Sequence, residues 1–402
     1  MSTAVRGPRR LLVANLLGQL AFGLLAMTLC IPSMAEWGAL LGGPQASVQL
    51  TFSGFVVAFG GLQLVYGPLS DRLGRKPVLL AGLALAGVAS VLAALAPSLP
   101  WLIAARVLQG AGCAAGMVVG RALVQDLFEG PERTRVMAFV GMTMGLCPPL
   151  ATIVGGQLHV QLGWQANFVL IAALAVLAGL AAWRGLPATA VHTGTRPDWW
   201  PAMRSAYARL AREPAFLLYA SILGLTTATF YAFLAGAPLV LGRQGVGPAH
   251  VGFYIMSIPL AYIVGNYLTS RWVRRAGERT MMQLGQALTL GGLALLLAGG
   301  LAGLQGPLAF VLPLVLLGIG HGFLMPSTLA GTVGVLPALA GAAAAVGGVA
   351  QQFMGAFGGF VVGLVPHDDV VNLAGLMLAF AVGGAAAQAL LHRSTRPAVA
   401  PT

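Results

Sequence analysis

The sequence predicts an all-α integral membrane protein of twelve transmembrane helices, arranged as two pseudo-symmetric six-helix bundles. Three observations carry this: the composition, the spacing of the apolar runs, and the placement of the basic residues. Hydrophobic residues make up 58% of the 402, charged residues only 8%, and mean hydropathy is +0.86. A chain so poor in charge cannot clothe a water-soluble domain. A helix needs roughly 20 apolar residues to cross a hydrocarbon core ~30 Å thick, and no Asp, Glu, Lys or Arg lies between Thr280 and His367. That gap alone holds several spans.

Glycine, proline and charge punctuate the apolar runs and mark the ends of helices. The first six helices fall near 11–33, 47–68, 77–96, 101–125, 134–156 and 165–184. The second six fall near 214–241, 250–270, 280–303, 308–333, 340–364 and 370–391. The organisation is therefore an N-terminal bundle over 1–184, a linker over 185–213 and a C-terminal bundle over 214–402 with a short tail. The linker is the longest polar segment; its second part reads as an amphipathic helix, with Trp199 and Trp200 at the lipid headgroup level.

Basic residues are retained on the cytoplasmic side of short loops. With both termini cytoplasmic, every Lys and Arg falls on that side except Arg243, which lies outside, and Arg106 and Arg121, which lie within the fourth helix. The formal charge of +12 is then topology. It is scattered over separate loops, which excludes a nucleic-acid partner. The first apolar run is long enough to span and reads as a retained helix. Cys30, Cys113 and Cys147 all fall inside spans without metal-ligand spacing, so they read as packing residues, and no metal or cofactor is expected. The six histidines are spread over both faces, which argues against a membrane enzyme with a convergent catalytic cluster. A monomer in a bacterial inner membrane is expected.

The stretch GPLSDRLGRK, Gly67 to Lys76, concentrates four charges in a loop between the second and third helices. A weaker copy, Thr269 to Arg275, follows the second helix of the other half; it keeps the cations but sets Ser270 against Asp71 and Val273 against Gly74. Gly67 would let a helix approach closely. Asp71 could sit at a helix N-terminus. Arg72, Arg75 and Lys76 anchor the topology.

These residues, continued by Leu102-Ile103-Ala104-Ala105-Arg106-Val107-Leu108-Gln109-Gly110 in the fourth helix, then Arg121-Ala122-Leu123-Val124-Gln125-Asp126, and by Pro148 with Gly155-Gly156 in the fifth, resemble the major facilitator superfamily. More narrowly the chain resembles its bacterial drug:proton antiporters of the Bcr/CflA type. The resemblance implies alternating access between the two bundles, with a cytoplasmic gate of Gly67, Asp71, Arg72, Gly74, Arg75, Lys76 and Asp126 that closes against helix eleven. It also implies a coupling role for Arg106 and a hinge and seal at Pro148, Pro149, Gly155 and Gly156. Ala151 and Thr152 depart from the usual fifth-helix pattern. Arg106 itself is the most expensive residue in the chain, since a cation within a span costs ~2.5 to 3.5 kcal/mol unless it finds water or a partner. It is expected to face the central cavity, while Arg121 snorkels or pairs with Asp126.

Antiporters of this type commonly carry an acid in helix one, four positions before a proline; here Thr28 precedes Pro32 in that place. Three candidates remain for proton coupling: the pair Asp71 and Asp126, the intramembrane His321, and Glu36 at the periplasmic end. Uncharged polar and aromatic residues suited to an apolar cavity are Gln19, Phe22 and Thr28 in helix one, Phe55 and Phe59 in two, and Thr227, Phe230 and Tyr231 in seven. Tyr254 and Asn266 in helix eight and Gln351 and Gln352 in eleven complete the set. The chain is read as an exporter of a small neutral or weakly polar amphiphile in exchange for protons. An antibiotic or a secreted metabolite such as a siderophore would suit it; a proton-independent facilitator is the alternative.

Overall fold

The computed structural model describes residues 9–187, 199–366 and 370–394. Its helices are α1 (Arg9–Thr28), α2 (Met34–Leu41), α3 (Gln45–Leu73), α4 (Arg75–Ala94), α5 (Leu99–Leu127), α6 (Gly130–Leu162), α7 (Gln165–Gly185), α8 (Trp199–Leu210), α9 (Pro214–Arg243), α10 (Pro248–Ala276), α11 (Glu278–Leu301), α12 (Pro307–Gly334), α13 (Ala340–Val362) and α14 (Val370–Ser394). Among the described residues twelve spans are long and apolar enough to cross a membrane. The first is α1 continued, through one 3-10 turn at Ile31–Ser33, into α2. Pro32 causes that break, because its ring removes a backbone donor and blocks the preceding turn.

The charged stretch between the second and third spans is not a loop. Helix α3 runs on through Pro68 and Asp71 to Leu73, and α4 begins at Arg75, so Gly74 alone is the joint, with φ at +92°. A side chain is strained at that angle, which is why glycine stands there. The same joint recurs between α10 and α11 at Gly277, with φ at +81°. The repeat thus aligns Gly74 with Gly277 and not with Val273. In that register Asp71 corresponds to Arg274 and Arg75 to Glu278, so the charges are exchanged between the copies.

Contacts within the chain group the described residues into two compact units. Among the described residues the first comprises 9–187, 234–259 and 359–366; the second comprises 199–233, 260–358 and 370–394. Within the first unit α5 is the central helix. A Cβ on Gly116 would stand 2.6 Å from the Gln19 carbonyl of α1, one on Gly112 2.5 Å from the Ala86 amide of α4, and one on Gly110 against the Phe55 carbonyl of α3. Small residues let backbones meet where lipid supplies no hydrophobic drive. The same device binds the short segments of α9, α10 and α13 into this unit: Gly252 faces the backbone of Ile153 and Gly363 that of Ala46, while Gln49 Nε2 donates to the Ala235 carbonyl at 3.3 Å.

In the second unit α11 and α12 meet at Gly285 and Gly320, and α10 meets α12 at Gly265 and Gly322. The amphipathic helix expected in the linker is α8; its Leu210 is buried with Phe216 and Ala343. Linker residues 188–198, the side chains of Trp199 and Trp200, and both chain termini lie outside the described residues.

Candidate functional site

Arg106 is fully buried, and its surroundings explain how a cation is held without an acid. Helix α1 ends at Thr28, so its last carbonyls lack intrahelical partners. The Arg106 guanidinium donates to two of them, Ala26 at 2.8 Å and Met27 at 3.3 Å, and to the Thr51 carbonyl of α3 at 3.3 Å. It also donates to Gln109 Oε1, whose Nε2 donates onward to Ser90 Oγ at 2.7 Å. Phe55 lies beneath it, 4.4 Å from guanidinium carbon to ring centroid. The carbonyl end of a helix is its electronegative pole, so this cation is neutralised by partial charges.

Arg106 is thus enclosed within the first unit. Gln19, Phe22, Thr28, Phe55 and Phe59, expected to line a cavity, are likewise closed inside the unit, each at most 2% exposed. Gln19 Nε2 is spent on the Asn15 side chain and the Ala178 carbonyl of α7, both at 2.9 Å, and the Thr28 hydroxyl bonds back to the Leu24 carbonyl. Phe55 stacks on Phe59. Gln109 and Ser90 were not singled out in the sequence. Gln109 stands at i+3 from Arg106, a spacing that could have found it.

At one end of the first unit, Glu36 of α2 pairs with His159 of α6 at 3.0 Å. Beside it Trp37 is fully buried, edge-on to Trp164 and stacked on Phe168. Phe168 in turn lies 5.9 Å from the guanidinium carbon of Arg106. On α6 a Cβ at Gly155 would strike the Leu29 carbonyl and one at Gly156 the Pro248 carbonyl, and Gln157 Nε2 donates to the Ala249 carbonyl at 3.1 Å. Helix α6 remains continuous across Pro148 and Pro149. The two glycines therefore let neighbouring backbone approach α6 closely within this unit. His159 was missed because its partner lies 123 residues away.

At the other end, the joint at Gly74 gathers Asp71, Arg75 and Asp126. Arg75 lies 2.6 Å from Asp71 and 3.1 Å from Asp126, and also donates to Ser70 Oγ. Lys76 Nζ donates to the Leu186 carbonyl at the end of α7. Arg72, one position from the pair, is exposed on the last turn of α3. Asp126 thus takes Arg75, and Arg121 instead approaches Met144 Sδ at 3.9 Å. Gly67 is not a close-approach point, since a Cβ there would meet only Val118 Cγ1 at 3.9 Å.

In the second unit the Tyr231 hydroxyl and Gln352 Oε1 are 3.2 Å apart, and Thr227 and Tyr231 flank Gly355. Phe230 tilts against Tyr231. Gln351 and Gln352 are half-buried, and Asn266 Nδ2 donates to the Tyr262 carbonyl one turn back. His321 is buried on α12 between the two close-packed glycines. Tyr254 belongs to the first unit and Asn266 to the second.

Twelve spans, the broken first helix and the buried arginine define a polytopic transporter, and comparison gives its family. Residues 7–359 match the Major Facilitator Superfamily, and the chain belongs to it. Its relatives include a chloramphenicol resistance protein of Pseudomonas aeruginosa, 30% identical over 86% of this chain and 82% of that one. Multidrug resistance protein D of Escherichia coli (strain K12) is 30% identical over 83% of each. Among solved structures, a mutant of the nucleoside transporter NupG matches with a TM-score of 0.74 over 96% of this chain and 100% of that one, at 15% identity.

Proposed function

We propose that this chain exports a small neutral or weakly polar amphiphile across the bacterial inner membrane by alternating access, in exchange for protons. The observation that carries the reading is that, among the described residues, no Asp or Glu is buried, and the one buried cation, Arg106, is met by carbonyls and a carboxamide. An interior of that kind offers no anion to select cationic drugs. The similarity to a chloramphenicol resistance protein over most of both chains makes a phenicol antibiotic the first substrate to try. Asp71, Arg75 and Asp126 serve as the cytoplasmic gate, and the α6 glycines as the hinge and seal opposite.

Protons are then exchanged at the ends of the span, by Glu36 with His159 on the periplasmic side and by Asp71 with Asp126 on the cytoplasmic side. Everted vesicles supplied with a phenicol test this: uptake should follow the proton gradient and fall by at least tenfold in the Glu36→Gln and Asp126→Asn variants. The substitution of Thr28 for the usual helix-one acid favours a second reading, a facilitator that equilibrates its substrate. Uptake that continues unchanged after the gradient is collapsed would select the facilitator and sink the antiporter.

A further inference from the structure

The two glycine joints are built alike but charged differently, and the difference points to a ligand. At Gly74 the central cation, Arg75, is held between Asp71 and Asp126. At Gly277 the segment 271–279 carries Arg271, Arg274, Arg275 and Arg279 against a single acid, Glu278, and all five are exposed. Among the described residues no carboxylate stands within ion-pair distance of these four arginines.

The side of α10 that leads to them is apolar and uncovered within the second unit. Leu260, Val264 and Tyr267 are each more than two-fifths exposed and recur at helical spacing, ending at Arg271. The Arg271 guanidinium carbon lies 4.8 Å from the Tyr267 ring centroid, which fixes its direction. Around it the exposed end of α10 presents Ser270, Arg271, Trp272, Arg274 and Arg275 along a half-open surface recess. The 29 residues of α10 would extend about 43 Å at 1.5 Å per residue, so its last turns pass beyond a ~30 Å hydrocarbon core to the headgroup level. Exposed Trp272 and Tyr267 are the residue types favoured there.

The geometry points to a binding site for an anionic phospholipid at the end of α10, its acyl chain along Leu260 and Val264 and its phosphate among Arg271, Arg274 and Arg275. Guanidinium forks suit phosphate oxygens, and the absence of a carboxylate partner leaves the forks available. The copy at Gly74 lacks this capacity, because its central cation is already engaged by protein carboxylates. Bound lipid would also offset the mutual repulsion of the arginines beside the one-residue joint.

Native mass spectrometry of the purified full-length protein tests the site by counting bound lipids. Phosphatidylglycerol should bind the unmodified protein at least tenfold more tightly than phosphatidylcholine, and millimolar inorganic phosphate should not displace it. The Arg274→Gln/Arg275→Gln variant should lose that preference, whereas Arg204→Gln/Arg209→Gln on α8 should keep it. Equal affinity for the two lipids in the unmodified protein overturns the proposal without recourse to any variant. So does equal loss in both double variants, which would mark a diffuse effect of net charge, or displacement by phosphate, which would mark a site for the free ion.

Discussion

Replacing Arg106 by methionine tests whether the buried cation is an architectural tie. The change keeps most of the side-chain volume and removes the charge, so the burial penalty of the cation disappears together with its bonds. The acceptors left short are Gln109 Oε1 and the carbonyls of Ala26 and Met27 at the broken end of α1, whereas the Thr51 carbonyl lies inside α3 and keeps an intrahelical partner. A buried acceptor left short of its donor costs ~1 to 3 kcal/mol, and carbonyls retaining partial contacts fall at the low end, so the three together give a loss of about 3 kcal/mol. Removing both partners should be gentler than removing one. The double variant Arg106→Met/Gln109→Leu should therefore recover about 1 kcal/mol relative to the sum of the single changes. Denaturant unfolding of the purified protein in micelles measures all three. A single variant as stable as the parent, or strictly additive changes in the double, would refute the assignment of Arg106 as the donor that closes α1.

The remaining predictions probe the joints, the seal and the second unit. Gly155→Ala drives a methyl into the Leu29 carbonyl and should lower stability by ~1 to 3 kcal/mol, whereas Gly67→Ala has room and should unfold within ~0.5 kcal/mol of the parent; thermal unfolding ranks the two. Gly74→Ala and Gly277→Ala force a side chain into positive φ and should each lose ~1 to 2 kcal/mol, seen as earlier melting of either variant. Because Asp71 and Asp126 are both about two-fifths exposed, Asp126→Asn should change stability by less than ~1 kcal/mol while reducing transport; a large stability loss would make the cluster a structural element and not a gate. Tyr231→Phe removes the Gln352 contact and should alter the apparent affinity for substrate in vesicle uptake more than the amount of folded protein.

Much of the helix inventory was legible because the membrane imposes a simple rule: backbone groups must pair within each span, so apolar runs of sufficient length become helices. Gly, Pro and charge then marked most ends to within a few residues. The rule fails where the helix outlasts the hydrocarbon. Asp71 and Arg72 look like loop residues by hydropathy, yet α3 carries them, because leaving the apolar core does not end a helix and only Gly74 does. The repeat was misaligned for the same reason: matching charges pairs Gly74 with Val273, while matching the backbone turn pairs it with Gly277.

The sequence by itself determined the class of the protein, the number of spans, the prolines and glycines that punctuate them, and the presence of one costly arginine in the fourth. The tertiary structure decided what satisfies that arginine, because carbonyl oxygens belong to every residue and leave no signature in a sequence. It also decided which glycines seal a contact and which are idle, since Gly155 and Gly67 differ only in what approaches them. The pairing of Glu36 with His159, and the contrast between an engaged Arg75 and the uncompensated arginines beside Gly277, depend likewise on distances between helices remote in the chain.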